Sequence, residues 1–232
     1  MGSFVYLIPS VLEESATQTI PHYIIDAIKD CSIIFAENER TARRFLKSIC
    51  KEIIIDNYEW FTIHKAEVDL LPVFKQKIRE EKNIAIISEA GCPGIADPGQ
   101  ILIAAAQEMN VTLKPLVGPS SILLALMASG MNGQQFEFVG YLPIDTLERT
   151  KAITALETAS QKNNSTKIFI ETPYRNNQLI ETLLKICKPG TKLCIAAELT
   201  AVSECIKTKT IAGWKKEKTD FHKKPVIFLL QG

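Results

Sequence analysis

The sequence predicts an α/β protein of two domains with mostly parallel sheets. Two observations carry that expectation in the first half: short apolar runs alternate with helix-length amphipathic segments, and the runs are bounded by turn residues. A third is the restart "GPSSILLALMASGM", where Pro119 suits a first helical position and Gly130 a helix end, before a second alternation begins. With 232 residues, 46% hydrophobic and 23% charged, the chain has enough apolar material for a core in each half. We place the boundary so that the domains run over 1–116 and 117–232.

The elements follow in order. "FVYLIP" reads as a buried strand, and "TQTIPHYIIDAIKDC" sets Ile20, Ile24, Ile25 and Ile28 on one helical stripe before the apolar run "SIIFAE". "EIIID" reads as a strand, residues 68–81 as a helix, and "NIAIIS" as a further strand that runs into a glycine-rich loop. "GQILIAAAQEMN" is helical, and "VTLKPLV" closes the first half as a strand. Beyond the restart come the strand "FEFVGYLP", a helix over 147–159, the strand "KIFIET", a helix over 176–187 and the strand "KLCIAAEL". Two late runs, "CIKTKTI" and "PVIFLLQ", predict an antiparallel hairpin at a sheet edge. Nearly continuous apolar strands separated by helices imply a parallel sheet covered on both faces.

Composition narrows the function. Lysine plus arginine number 27 against 26 aspartate plus glutamate, so the overall balance leaves no footprint of a dedicated nucleic-acid binder, although a local basic patch is compatible with it. Six cysteines without a C-x-x-C pair, on a chain without a secretory leader, read as reduced thiols, with neither disulfide nor metal site expected. The longest mostly apolar run, 122–131, falls short of the roughly 20 residues of a membrane span. A cytoplasmic protein with no membrane partner is the expectation.

The loop "NIAIISEAGCPGIADPGQ" carries the chemistry. It holds three glycines and two prolines, yet keeps the carboxylates of Glu89 and Asp97. Loops of this kind between strand and helix commonly cradle phosphates on backbone N–H groups. Here the dinucleotide spacing and the Walker ending are absent, and two carboxylates repel a polyphosphate. A cationic or zwitterionic ligand suits them better, and S-adenosylmethionine, with its sulfonium, ammonium and carboxylate, is such a ligand. The alternative is that Asp97-Pro98-Gly99 is only a turn and helix start with Asp97 as its cap.

"SEAGCPGIADPG" resembles the S-D-A-G-T-P-x-x-x-D-P-G loop of the tetrapyrrole (precorrin-type) methylase superfamily, and in particular its branch of 16S rRNA cytidine 2'-O-methyltransferases. In matching order, "FAENERTARRFL" is similar to that branch's A-E-D-T-R segment, "LVGPSSILLALMASGM" to its P-G-P-S/C-A segment, "FIETPYR" to F-Y-E-S-x-H-R and "AAELT" to A-R-E-L-T. The chain departs from the pattern at residues 10–12, where "SVL" replaces the glycine and asparagine of P-I-G-N-L, at Asn38 and Glu39, and in "FTIHKAE", which keeps only His64 of a histidine-rich segment. The resemblance implies two α/β domains with a ligand cleft between them, a homodimer, S-adenosylmethionine as donor and RNA, of the ribosomal small subunit, as acceptor. It implies donor contacts at Pro9, at Glu89, Gly91, Cys92, Pro93, Ile95 and Asp97, at Gly118, Pro119, Ser120 and Ser121, and at Ala197. A precorrin-like macrocycle is the alternative acceptor, and a non-catalytic donor-binding dimer the alternative of another class.

Methyl transfer from a sulfonium needs alignment and a water-poor site, and an alcohol acceptor gains from a base. Glu37, directly after the "SIIFA" strand where α/β sheets place ligands, is the first candidate, and His64 is the second. Arg40 and Arg44 share a helix face, which reads either as a solvated face or as a contact to an RNA backbone. Glu171 and Arg175 read either as substrate contacts or as a structural ion pair. Leu123, Leu124, Leu126 and Met127 read as core, and Cys92 as a small loop residue rather than a nucleophile.

Overall fold

The computed structural model describes residues 2–63 and 67–232. Two compact units divide the chain, Met1–Ser120 and Ser121–Gly232. The sequence-derived boundary, between Leu116 and Val117, falls just past the last strand of the first unit.

The first unit runs β1 (Phe4–Ile8), α1 (Tyr23–Lys29), β2 (Ile33–Ala36), α2 (Glu39–Ile49), β3 (Glu59–Thr62), α3 (Leu71–Arg79), β4 (Ile84–Ile87), α4 (Gln100–Glu108) and β5 (Thr112–Pro115). Its sheet has the order β3-β2-β4-β1-β5, and every pairing is parallel. The period of two in the strands sorts their side chains onto two cores. Tyr6, Ile8, Ile34, Ala85 and Ile87 face Ile24 and Ile28 of α1 and Phe45 and Leu46 of α2. Val5, Ile33, Phe35, Ile84 and Ile86 face Phe74 and Ile78 of α3 and Leu102, Ala105 and Ala106 of α4. Phe35 stacks on Phe61 at 4.8 Å and meets Phe74 edge-on at 5.2 Å, contacts that add about 0.5–1.5 kcal/mol each beyond area burial.

"EIIID" forms no strand. Ile53 is buried but Ile54 is 60% exposed, and residues Ile55–Asn57 make a 3-10 turn, so the run spends its apolar content on the connection out of α2. The strand comes directly after it, as β3, beside β2.

The second unit runs α5 (Ser121–Ser129), β6 (Phe136–Tyr141), α6 (Thr146–Asn163), β7 (Thr166–Ile170), α7 (Asn176–Ile186), β8 (Lys192–Ala197), β9 (Cys205–Thr210), α8 (Ile211–Trp214) and β10 (Val226–Gln231). Its sheet, β6-β7-β10-β8-β9, is mixed: β6 and β7 are parallel, whereas β10 is antiparallel to both β7 and β8, and β9 is antiparallel to β8. The expectation of mostly parallel sheets therefore describes the first unit and not this one. The late hairpin is also corrected. β10 is buried along "VIFLL" and inserts between β7 and β8, while β9, which alternates lysines with threonines, takes the edge. A run apolar on both faces is stabilised in a central position, and edge strands are blunted by lysine.

α5 begins at Ser121, so Pro119 lies ahead of the helix rather than at its first position, while Gly130 follows the helix end with φ +67°. It buries Ile122, Ala125, Leu126 and Ser129, leaving Leu123 50% and Met127 79% exposed, so the predicted core stripe is turned by one position. Among the described residues no helix is long and apolar enough to cross a membrane.

Candidate active site

The carboxyl ends of β1, β2, β4 and β5 lead into the segments that hold most of the candidate residues. Ser10, just past β1, and Gly91, past β4, bridge as an antiparallel pair: Ser10 N–H donates to Gly91 O at 2.8 Å, and Gly91 N–H returns to Ser10 O at 3.2 Å. The buried Ser88 hydroxyl also donates to Gly91 O, at 3.1 Å. Gly91 has φ +77°, a conformation that side-chain-bearing residues rarely adopt. Gly118, past β5, has another reason to be glycine. A Cβ there would lie 2.2 Å from Cβ of Pro9, so the two segments approach too closely for any side chain. Val117 N–H donates to the Tyr23 hydroxyl at 2.7 Å, which ties this segment to α1.

Three carboxylates gather around the loop. Glu37, past β2, uses Oε2 to accept the N–H of Glu89 at 3.0 Å. Glu89 Oε1 accepts from Thr41 Oγ1 at 3.2 Å and from Asn38 Nδ2 at 3.4 Å. Asn38 is at the same time the N-cap of α2, its Oδ1 accepting the N–H of Thr41. Asp97 does not cap α4: the N-cap is Gly99, at φ +114°, without a side-chain hydrogen bond. Burial, then the Glu37 and Glu89 carboxylates, push Asp97 up to about 7. Beside it, burial and then Asp97 raise the Cys92 thiol, whose Sγ lies 3.6 Å from Pro119 O. Pro93 is buried and Ile95 is exposed. A pocket of about 190 Å³ opens beside Glu89, with Ser10, Leu12, Thr41, Arg44 and Phe45 among its walls.

The structure brings Pro9, Glu37, Glu89, Gly91, Cys92, Asp97, Gly118 and Pro119 to one end of the first sheet. Arg40 and Arg44 are exposed on α2, and Arg44 pairs with Glu14 at 3.0 Å. His64 lies outside the described residues. Ser121, Glu171, Arg175 and Ala197 belong to the second unit, whereas Ser120 ends the first. Arg175 grips Glu171 with Nε at 3.0 Å and Nη2 at 2.7 Å, so this pair is an ion pair, with the Glu171 side chain fully enclosed. Ala197 is fully buried in the second core, at the end of β8. Sequence reasoning missed Asn38, Thr41, Ser10 and Ser88 as supports of the loop. The helix-capping pattern at Asn38 was a usable signal for the first two, but nothing in the sequence marks the backbone bridge of Ser10.

A parallel sheet whose carboxyl edge carries a glycine-rich, carboxylate-bearing loop is thus followed along the chain by a second, mixed sheet. A structure described as that of the methyltransferase CobJ matches this fold with a TM-score of 0.65 at 16% identity, over 100% of this chain and 95% of that one. Uroporphyrin-III-C-methyltransferase from Thermus thermophilus matches with a TM-score of 0.55 at 14% identity, over 100% and 93%. The family of Tetrapyrrole (Corrin/Porphyrin) Methylases matches residues 21–213, and the chain belongs to it. Among curated relatives, the Ribosomal RNA small subunit methyltransferase I of Micromonospora olivasterospora is 31% identical over 73% of this chain, and the match spans 51% of that protein. The protein of the same name from Escherichia coli O157:H7 is 26% identical over 98% of this chain and 77% of its own length.

Proposed function

We propose that the protein transfers the methyl group of S-adenosylmethionine to RNA, with a ribose 2'-hydroxyl of ribosomal RNA as acceptor, acting in the cytoplasm as a homodimer. The observation that carries the donor assignment is the trio Glu37, Glu89 and Asp97, whose mutual repulsion helps to raise Asp97 to about 7. A cationic ligand relieves that repulsion, and a polyphosphate worsens it. The curated relatives named for small-subunit ribosomal RNA support the acceptor.

When bound, the donor supplies an activated methyl on a cationic sulfur that leaves as a neutral thioether. Loop 89–99 and the segment 117–120 offer backbone N–H and C=O groups to it, held by the positive φ of Gly91 and by the close packing of Gly118 on Pro9. Glu37 steadies the loop through Oε2, and its other oxygen, which accepts no hydrogen bond from the described residues, takes the proton of the acceptor hydroxyl in this reading. Arg40, exposed on α2, would meet a phosphate of the acceptor strand in this reading.

Purified protein incubated with tritiated S-adenosylmethionine should label small-subunit RNA isolated from cells that lack the gene. Label on a tetrapyrrole but not on RNA would move the acceptor, and donor binding without label on either would leave a binding protein.

A further inference from the structure

α4 starts at the end of the glycine-rich loop, yet its N-cap, Gly99, has no side chain to satisfy the first free N–H groups of the helix. The first intrahelical bond runs from Ile103 N–H to Gly99 O, so the N–H of Leu102 is left without a helical partner. It is taken by Glu67 Oε1 at 3.0 Å, across a separation of 35 residues. Glu67 sits on the 3-10 turn Glu67–Leu70, ahead of α3, and is buried. A buried carboxylate accepting an N–H at the positive end of a helix makes a charge-assisted bond in a setting where its loss leaves a donor unsatisfied.

We infer that Glu67 is a positioning residue for the donor loop, capping α4 from a distance in the place where its own N-cap is glycine. Three features tie the cap to the loop. Gly99 needs its glycine, because φ is +114° and a Cβ would lie 3.2 Å from Ile86, so no capping side chain is available there. Gly94 N–H bonds to Pro98 O, which couples the middle of the loop to the turn that enters α4. Asp97, the nearest carboxylate in sequence, is thereby left uncapped among Glu37 and Glu89, where the donor reading needs it. The inference rests on the proposed function for its consequence in binding, but not for its geometry.

The test uses the full chain with Glu67→Ala and Glu67→Gln. Hydrogen exchange needs no ligand. Glu67→Ala should lose protection at Leu102 and through 91–99, with the rest of the first sheet unchanged, whereas Glu67→Gln, which keeps an acceptor oxygen, should retain it. Unchanged exchange at Leu102 and in the loop of Glu67→Ala overturns the inference whatever the ligand proves to be. Where wild type binds S-adenosylhomocysteine, Glu67→Ala should weaken it about tenfold, and Glu67→Gln by no more than about threefold. Wild-type affinity in folded Glu67→Ala, or a lowered melting temperature with unchanged affinity, also overturns it. If wild type does not bind this ligand, the donor assignment fails and the exchange result alone decides the role of Glu67.

Discussion

Glycine at 118 is required by space and glycine at 91 by backbone conformation, and the two substitutions that probe them should behave differently. In Gly118→Ala the new Cβ meets the stiff ring of Pro9 at 2.2 and 2.3 Å, so the segment after β5 must move, at a cost of about 1–3 kcal/mol measured by urea denaturation. In Gly91→Val the nearest atom to the new Cβ is Leu12 Cδ2 at 3.5 Å, an ordinary contact, and the cost of about 1–3 kcal/mol comes from holding a β-branched residue at φ +77°. Both should impair donor binding, and a folded Gly91→Val with wild-type affinity would remove that residue from the site. Glu37→Gln separates two roles of one side chain. The amide oxygen can still accept the Glu89 N–H, so the loop should hold and donor affinity fall only by about a few-fold for the lost charge, while single-turnover transfer falls by about 10²-fold or more if the carboxylate is the base. Affinity and turnover falling together would make Glu37 a brace only. The sequence argument set Glu37 at the carboxyl end of a strand and Glu89 in the donor loop, but carried no sign that one holds the backbone of the other, because that bond depends on the parallel register of β2 and β4.

The loop 89–99, taken as an element, should make the protein sensitive to pH. The folded pKa of Asp97, about 7, lies above the ordinary carboxylate value near 3.9. Its contribution to stability is therefore fully present below about pH 4 and is lost as pH rises through about 7. The difference in unfolding free energy between pH 5 and pH 8 should be larger in wild type than in Asp97→Asn, and equal differences would show that Asp97 titrates normally. A cationic donor favours the ionised form, so its affinity should rise between pH 6 and pH 8 in wild type and stay flat in the variant. Elements were legible wherever a run had one environment: β1, β2 and β4 are apolar because helices cover both sheet faces. They were misread where apolar content served something else. Ile53 is buried in a connection, and "VIFLL" was assigned to an edge although its burial on both faces marks a central strand. Parallel or antiparallel pairing in the second sheet depends on where the chain re-enters, which local periodicity does not encode.

At the scale of the whole molecule, the formal net charge of +1 limits how RNA can be held. Most cations near the candidate site are already engaged: Arg43 pairs with Glu39 at 2.6 Å and lies over the Trp60 ring, and Arg44 pairs with Glu14. Arg40 has no carboxylate partner among the described residues, which leaves about one to three phosphate contacts for α2 to make. Each neutralised phosphate of a single strand contributes about −0.7 to the slope of log K against log salt. If RNA is the acceptor, the slope should be about −2 or shallower, so that affinity falls roughly tenfold between 50 and 200 mM salt. Filter binding of an RNA oligonucleotide over that range reads the slope directly. Arg40→Ala should make it shallower by about 0.7, whereas Lys162→Ala, in α6 of the second unit, should leave it unchanged. A slope steeper than about −4 would require a phosphate-binding surface that the charges near this site do not supply, and would move the RNA contact elsewhere on the protein.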